Sequence, residues 1–135
     1  MNLRGDRIAK RALALVGTRF RPQGRDPRIG LDCVGAAAVA AEVPAGRLRD
    51  DYALRGLHLA AIEHGLDDLG FRPVPAEQAV AGDVLVCVAG PAQYHVVVRT
   101  RDSFVHADAG LRRVVERPLP VPWPVAGAWR FFEGG

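Results

Sequence analysis

Three residues of this sequence, Cys33, His95 and His106, have the types that nucleophilic catalysis requires. They would supply a thiol, a base to take its proton and a third polar group to fix the base's tautomer. Cys33 follows Asp32 directly and opens the small-residue run Val34-Gly35-Ala36-Ala37-Ala38-Val39-Ala40-Ala41. That run predicts a helix over residues 33–42 with Asp32 as its N-cap. The unpaired N–H groups of a first turn and the positive end of the helix dipole stabilise an anion, so the thiol is expected to ionise more easily than a free one. Taken alone, a lone cysteine also fits a small buried hydrophobe.

The two histidines lie on consecutive predicted strands, and register decides whether they meet. A two-residue turn at Thr100-Arg101 sets His95 directly opposite His106. A turn at Arg101-Asp102 sets His95 opposite Asp108, with His106 one diagonal step away. In both registers the imidazoles share one face of the sheet. If the helix packs its start against that face, Cys33, His95 and His106 assemble as nucleophile, base and orienting group. Two competing readings are a zinc site of the same side chains, which lacks a close-spaced ligand pair, and plain structural histidines.

The elements that must position these residues follow the order helices first, antiparallel strands second, an α+β arrangement. Asp6 caps a first helix with Ile8, Ala12, Leu15 and Val16 on one face, ended by Gly17. Residues 18–31, rich in proline and glycine, read as a loop without a regular element that carries Arg19, Arg21, Arg25 and Arg28 towards Cys33. Pro44 and Gly46 end the second helix, and residues 47–56 form an irregular connection. A third helix spans 57–69, with Ile62, Leu66 and Leu69 inward and His58 and His64 solvated. Prolines 73 and 75 mark a linker. Strands are expected at 84–88, 94–99, 103–107, 111–116 and 125–132.

At 135 residues and 49% hydrophobic, the chain suits one domain over residues 1–135. A net charge of +3, with Lys10 the only lysine, gives no expectation of nucleic-acid binding. No apolar stretch reaches the length of a membrane span, and residues 12–16 are too short for a signal-peptide core, so synthesis in the cytoplasm without Sec export is expected. Cys33 and Cys87 are expected as free thiols, the first reactive and the second an inert core residue.

The order Gly17-Thr18-Arg19-Phe20-Arg21, Leu31-Asp32-Cys33-Val34-Gly35, Gly82-Asp83-Val84-Leu85, His95-Val96-Val97 and Phe104-Val105-His106 resembles the NlpC-type cell-wall cysteine peptidases. It is most similar to the compact branch encoded by phages and gene-transfer agents. The resemblance implies a papain-like α+β fold, with N-terminal helices on a roughly five-stranded antiparallel sheet and the nucleophile at a helix N-terminus. It implies cleavage of peptidoglycan stem peptides, typically between γ-D-glutamate and diaminopimelate, by Cys33 with His95 as base and His106 as orienting residue, and no cofactor or metal. It also implies tail or baseplate proteins of a phage-like particle as partners, with action in the periplasm or cell wall. Asp32 would hold the substrate amine, beside Val34 where family members often have serine. Phe20 stands where a tyrosine often lies near the oxyanion. Arg19, Arg21, Arg25 and Arg28 would dock substrate carboxylates. Phe20 and Val34 make one alternative credible, a structural tail-tip protein without turnover; a further alternative is an amidase or acyltransferase using the same triad.

Overall fold

The computed structural model describes residues 3–22, 24–43, 59–91 and 93–132. Helix α1 (Leu3–Ala14) buries Gly5, Ile8, Ala9 and Ala12, one stripe at helical spacing. It starts three residues before the expected cap, so Asp6 lies inside its first turn, where a carboxylate still complements the dipole. Gly17, at φ +95°, turns the chain away and donates its N–H to Val114 O at 2.8 Å.

The arginine-bearing loop is more ordered than its prolines and glycines suggest. Strands β1 (Arg25–Asp26) and β2 (Gly30–Leu31) pair antiparallel within it. Pro27 falls in the turn between them, where a missing N–H costs nothing. Helix α2 (Cys33–Ala40) follows at once, with Asp32 Oδ1 accepting from Gly35 N at 2.7 Å as its N-cap. Pro44 and Gly46, expected to end it, lie outside the described residues. Glu42 adopts φ 58°, and the N–H groups of Glu42 and Val43 reach back to Val39 O and Ala38 O, a Schellman closure built on a non-glycine residue.

Helix α3 (Leu59–Asp68) turns Ile62 and Leu66 inward and leaves His64 exposed, as its periodicity predicts. His58 and the connection over 47–56 lie outside the described residues. The main sheet has six strands, not five, all pairs antiparallel, in the order β3-β8-β4-β5-β6-β7. These are β3 (Phe71–Val74), β4 (Val84–Gly90), β5 (Gln93–Arg99), β6 (Ser103–Asp108), β7 (Arg113–Pro118) and β8 (Val125–Phe131). The additional strand is β3, at a sheet edge, the one place where Pro73 costs no ladder bond. Strand β7 begins two residues later than expected because the turn from β6 runs on to Arg112, which takes φ 61°.

Both faces of this sheet are covered. Ile8, Ala12, Leu15, the alanines of α2, Ile62 and Leu66 pack with Val84, Val86, Val96, Val98, Val105, Ala107 and Val114. On the opposite face Leu85, Cys87, Val97, Phe104 and Ala128 form a second cluster under Val74, Leu119, Val121 and Trp123. Double coverage explains why residues 84–88 are apolar without alternation, which an antiparallel strand wetted on one face would show.

Candidate active site

Cys33 is the first residue of α2 and is only 3% exposed. Its sulfur faces the backbone of β5: N–H groups of Val96, Val34 and Cys33 itself act on it and favour the thiolate. Burial outweighs them, and the Asp32 carboxylate adds to it, so the thiol is pushed up to about 12. The expected lowering is therefore reversed. A helix N-terminus favours a thiolate only where desolvation does not exceed the gain from its dipole. Asp32 itself is 3% exposed and serves α2 as its cap.

The β5–β6 hairpin takes the second of the two registers. Val98 pairs with Val105 and Arg99 with Phe104, which puts Arg101 and Asp102 in the turn and levels His95 with Asp108. Thr100 N donates to Ser103 O at 2.8 Å and the two hydroxyls bond across the turn, closing it. The imidazoles meet edge to face with ring centroids 5.8 Å apart. Trp123 stacks on His95 at 4.9 Å and 16°, and stands edge-on to His106 at 5.4 Å.

Neither ring nitrogen of the 1%-exposed His106 has a hydrogen-bond partner among the described residues, nor does His95 Nδ1. Burial lowers the affinity of both rings for protons. His106 falls to about 4 through burial, then the neighbouring His95 and Arg117, with Asp108 opposing. His95 is lowered by burial, again against Asp108.

Strand alternation places this pair on the wrong side for Cys33. Val96 and Val98, Val105 and Ala107 face the helices, so His95 and His106, each one residue out of phase, face Trp123. Helix α2 packs its start against the other face of β5. The expected triad is thus not assembled: the thiol lies against the backbone of Val96, and the imidazole of the preceding residue projects from the opposite face of the sheet. Cys87, paired directly with His95 on β4, is the thiol that shares the histidine face; burial pushes it up to about 11.

The remaining sequence-derived residues cluster near α2. Phe20 bridges Leu31 and packs on the helix-side core, as does half-buried Val34. Arg19 and Arg21 are exposed. Arg28 is bound to Asp26 through Nε and Nη2 at 3.2 and 3.1 Å, and the side chain of Arg25 lies outside the described residues. No group of three or more metal-ligating side chains occurs among the described residues.

No family model and no curated protein matches this sequence. Solved structures do match. The NlpC/p60 domain of the peptidoglycan hydrolase SagA is 24% identical, with 95% of this chain and 97% of that one aligned at a TM-score of 0.63. The fold is that of the NlpC/p60 domains. NlpC1 from Trichomonas vaginalis aligns over 94% of this chain but 44% of its own, at 19% identity and a TM-score of 0.67. The peptidoglycan hydrolase RipB from Mycobacterium tuberculosis aligns over 96% and 65%, at 19% identity and 0.59. Within this NlpC/p60 fold, sequence reasoning missed Trp123 and Arg113. Trp123 sits in a proline-rich strap with no periodicity to orient it. Arg113 meets Arg19 through a bridge spanning most of the chain, which no local pattern signals.

Proposed function

We propose that this chain is a cysteine peptidase acting on peptidoglycan stem peptides, with Cys33 as its nucleophile. One observation carries the reading: a cysteine at the first position of the Asp32-capped α2, in a fold shared with peptidoglycan hydrolase domains. In this reading the thiolate attacks a γ-D-glutamyl amide, His95 takes the thiol proton and returns it to the leaving amine, and water releases the thioester. His95 can do so only from the α2 face. A one-residue bulge in β5 between His95 and Val96 would carry it there, since such a slip exchanges the faces of a strand. The order of motifs supports a setting in the tail of a phage-like particle, with tail or baseplate proteins as partners.

Incubation with a purified stem peptide and mass spectrometry of the products tests this. Two fragments separated at the γ-D-glutamyl-diaminopimelate bond are expected, with none from Cys33→Ala and a loss of about 100-fold or more from His95→Ala. Cleavage that persists in Cys33→Ala sinks the assignment of the nucleophile. A second reading has its own observation, the sheet standing between the buried thiol and both imidazoles: the fold is then kept as a structural part without turnover. Absence of cleavage, with Cys33 labelling unaffected by His95→Ala, is what that reading requires.

A further inference from the structure

Arg19 and Arg113 are partners across an antiparallel bridge, so the two exposed side chains leave the same face side by side. Like charges set directly opposite repel. Arg21 adds a third exposed guanidinium, flanking Phe20 as Arg19 does; Phe20 turns into the helix-side core and leaves the arginines pointing away from it. The other arginines near carboxylates are neutralised: Arg11 by Glu42 at 3.0 Å, Arg28 by Asp26 at 3.1 Å, Arg72 by Asp67 at 2.9 Å and Arg130 by Asp83 at 2.9 Å. Among the described residues no carboxylate lies within ion-pair distance of Arg19, Arg21 or Arg113. Asp108, the cross-strand partner of Arg113, is the one acid of the row, and its Oδ1 accepts instead from Leu111 N at 3.0 Å.

The cluster is also rigidly tied to the start of α2. Leu31 N donates to Arg19 O at 2.9 Å and Arg21 N donates to Leu31 O at 3.0 Å, two residues before Cys33. Three forked cations are therefore held at one rim by a bridge to β7 and a bridge to β2, with Asp108 across from Arg113 but no ion pair to any of the three among the described residues. A guanidinium fork matches a carboxylate through two parallel N–H···O bonds, and three of them suit a chain that carries several carboxylates. We infer that Arg19, Arg21 and Arg113 form a docking site for an acidic peptide, gripping its free carboxylates at the β7 edge of the sheet, on the face turned away from α2. Arg28, spent on Asp26, is not part of it. The stem-peptide reading above supplies the choice of probe, and only that.

The experiment is calorimetric titration of the full chain carrying Cys33→Ala, so that nothing turns over, with the tetrapeptide L-alanyl-γ-D-glutamyl-diaminopimelyl-D-alanine. The same peptide with its side carboxylates amidated is the second probe. Amidation should weaken binding at least about tenfold, the scale of one charge-assisted hydrogen bond, and Arg19→Gln/Arg113→Gln should weaken the parent peptide as much. The double variant should then be indifferent to amidation, while Arg72→Gln, paired with Asp67 elsewhere, should bind like the parent. Equal affinity for the two peptides, equal affinity of the arginine variants, or no binding by the parent overturns the inference. So does tighter binding of a single-stranded oligonucleotide that displaces the peptide, which would make the rim a nucleic-acid surface. Binding with this arginine dependence but no cleavage by the native chain defeats the peptidase reading and leaves the docking site standing; cleavage indifferent to the arginines does the reverse.

Discussion

Burial controls the protonation of both thiols and both central imidazoles, and the consequences are measurable one residue at a time. With Cys33 pushed up to about 12 and Cys87 to about 11, less than one thiol in a thousand is ionised at neutral pH. Iodoacetamide should accordingly label neither site of the unliganded native protein within the time that labels a free thiol at pH 7. Denaturant should restore ordinary labelling with a midpoint near the reference value of about 8.5. Fast labelling of native Cys33 at pH 7 would show that its sulfur is not held against Val96. The imidazoles titrate the other way. His106 is depressed to about 4 in the folded protein, so the stability it contributes is present above the unfolded value of about 6.5 and lost as pH falls towards 4. The melting temperature should fall through that window, and His106→Phe should flatten the fall; an unchanged slope would place the sensitivity elsewhere.

At the scale of an element, α2 depends on a short list of contacts. Asp32 closes its first turn through Gly35 N, so Asp32→Ala should cost about 1 kcal/mol, or roughly 4 °C in melting temperature for a chain of this size. Gly35 matters for another reason. A Cβ there would collide with the carbonyl oxygen of Gly24, so the glycine is what lets the arginine-bearing loop lie against the helix. Gly35→Ala should therefore cost about 2 kcal/mol by overpacking and displace the loop carrying Arg19 and Arg21. Melting measured beside the affinity for the acidic peptide would detect both effects. Loss of stability with unchanged peptide binding would separate the loop's position from this contact.

Across the whole molecule, one buried ion pair ties the far side of the sheet together. Asp83, fully buried at the start of β4, accepts from Arg130 Nε and Nη2 of β8 at 2.9 Å each and from Val80 N at 2.9 Å. Arg130→Met removes the countercharge and leaves a carboxylate with no water to solvate it. Breaking one half of such a pair costs about 3 kcal/mol or more, while replacing both halves by apolar residues is often neutral. Urea denaturation of Arg130→Met should show that loss, and Asp83→Leu/Arg130→Met should recover much of it. Equal stability of the single and double variants would mean that the ion pair is not what holds β4 to β8.

Local patterns alone determined much of this protein. The apolar stripes of α1 and α3, the small residues of α2, the Asp32 cap and the runs that become β4, β5, β6 and β8 each follow from neighbours within a few positions, so periodicity and capping chemistry reveal them. The shared face of His95 and His106 follows too, because alternation needs only the parity of the turn. What local pattern does not contain is which face of a doubly buried sheet receives a helix. Val96 and Val97 are equally apolar, and nothing in either residue says that α2 covers the first while Trp123 covers the neighbourhood of the second. For the same reason β3 was hidden, since its strand character comes from pairing with β8 sixty residues away and not from its own proline-bearing sequence. The environment of Cys33, the separation of thiol from imidazoles and the meeting of Arg19 with Arg113 are decided by contacts distant in sequence. Desolvation and charge pairing depend on those contacts, so only the tertiary structure decides them.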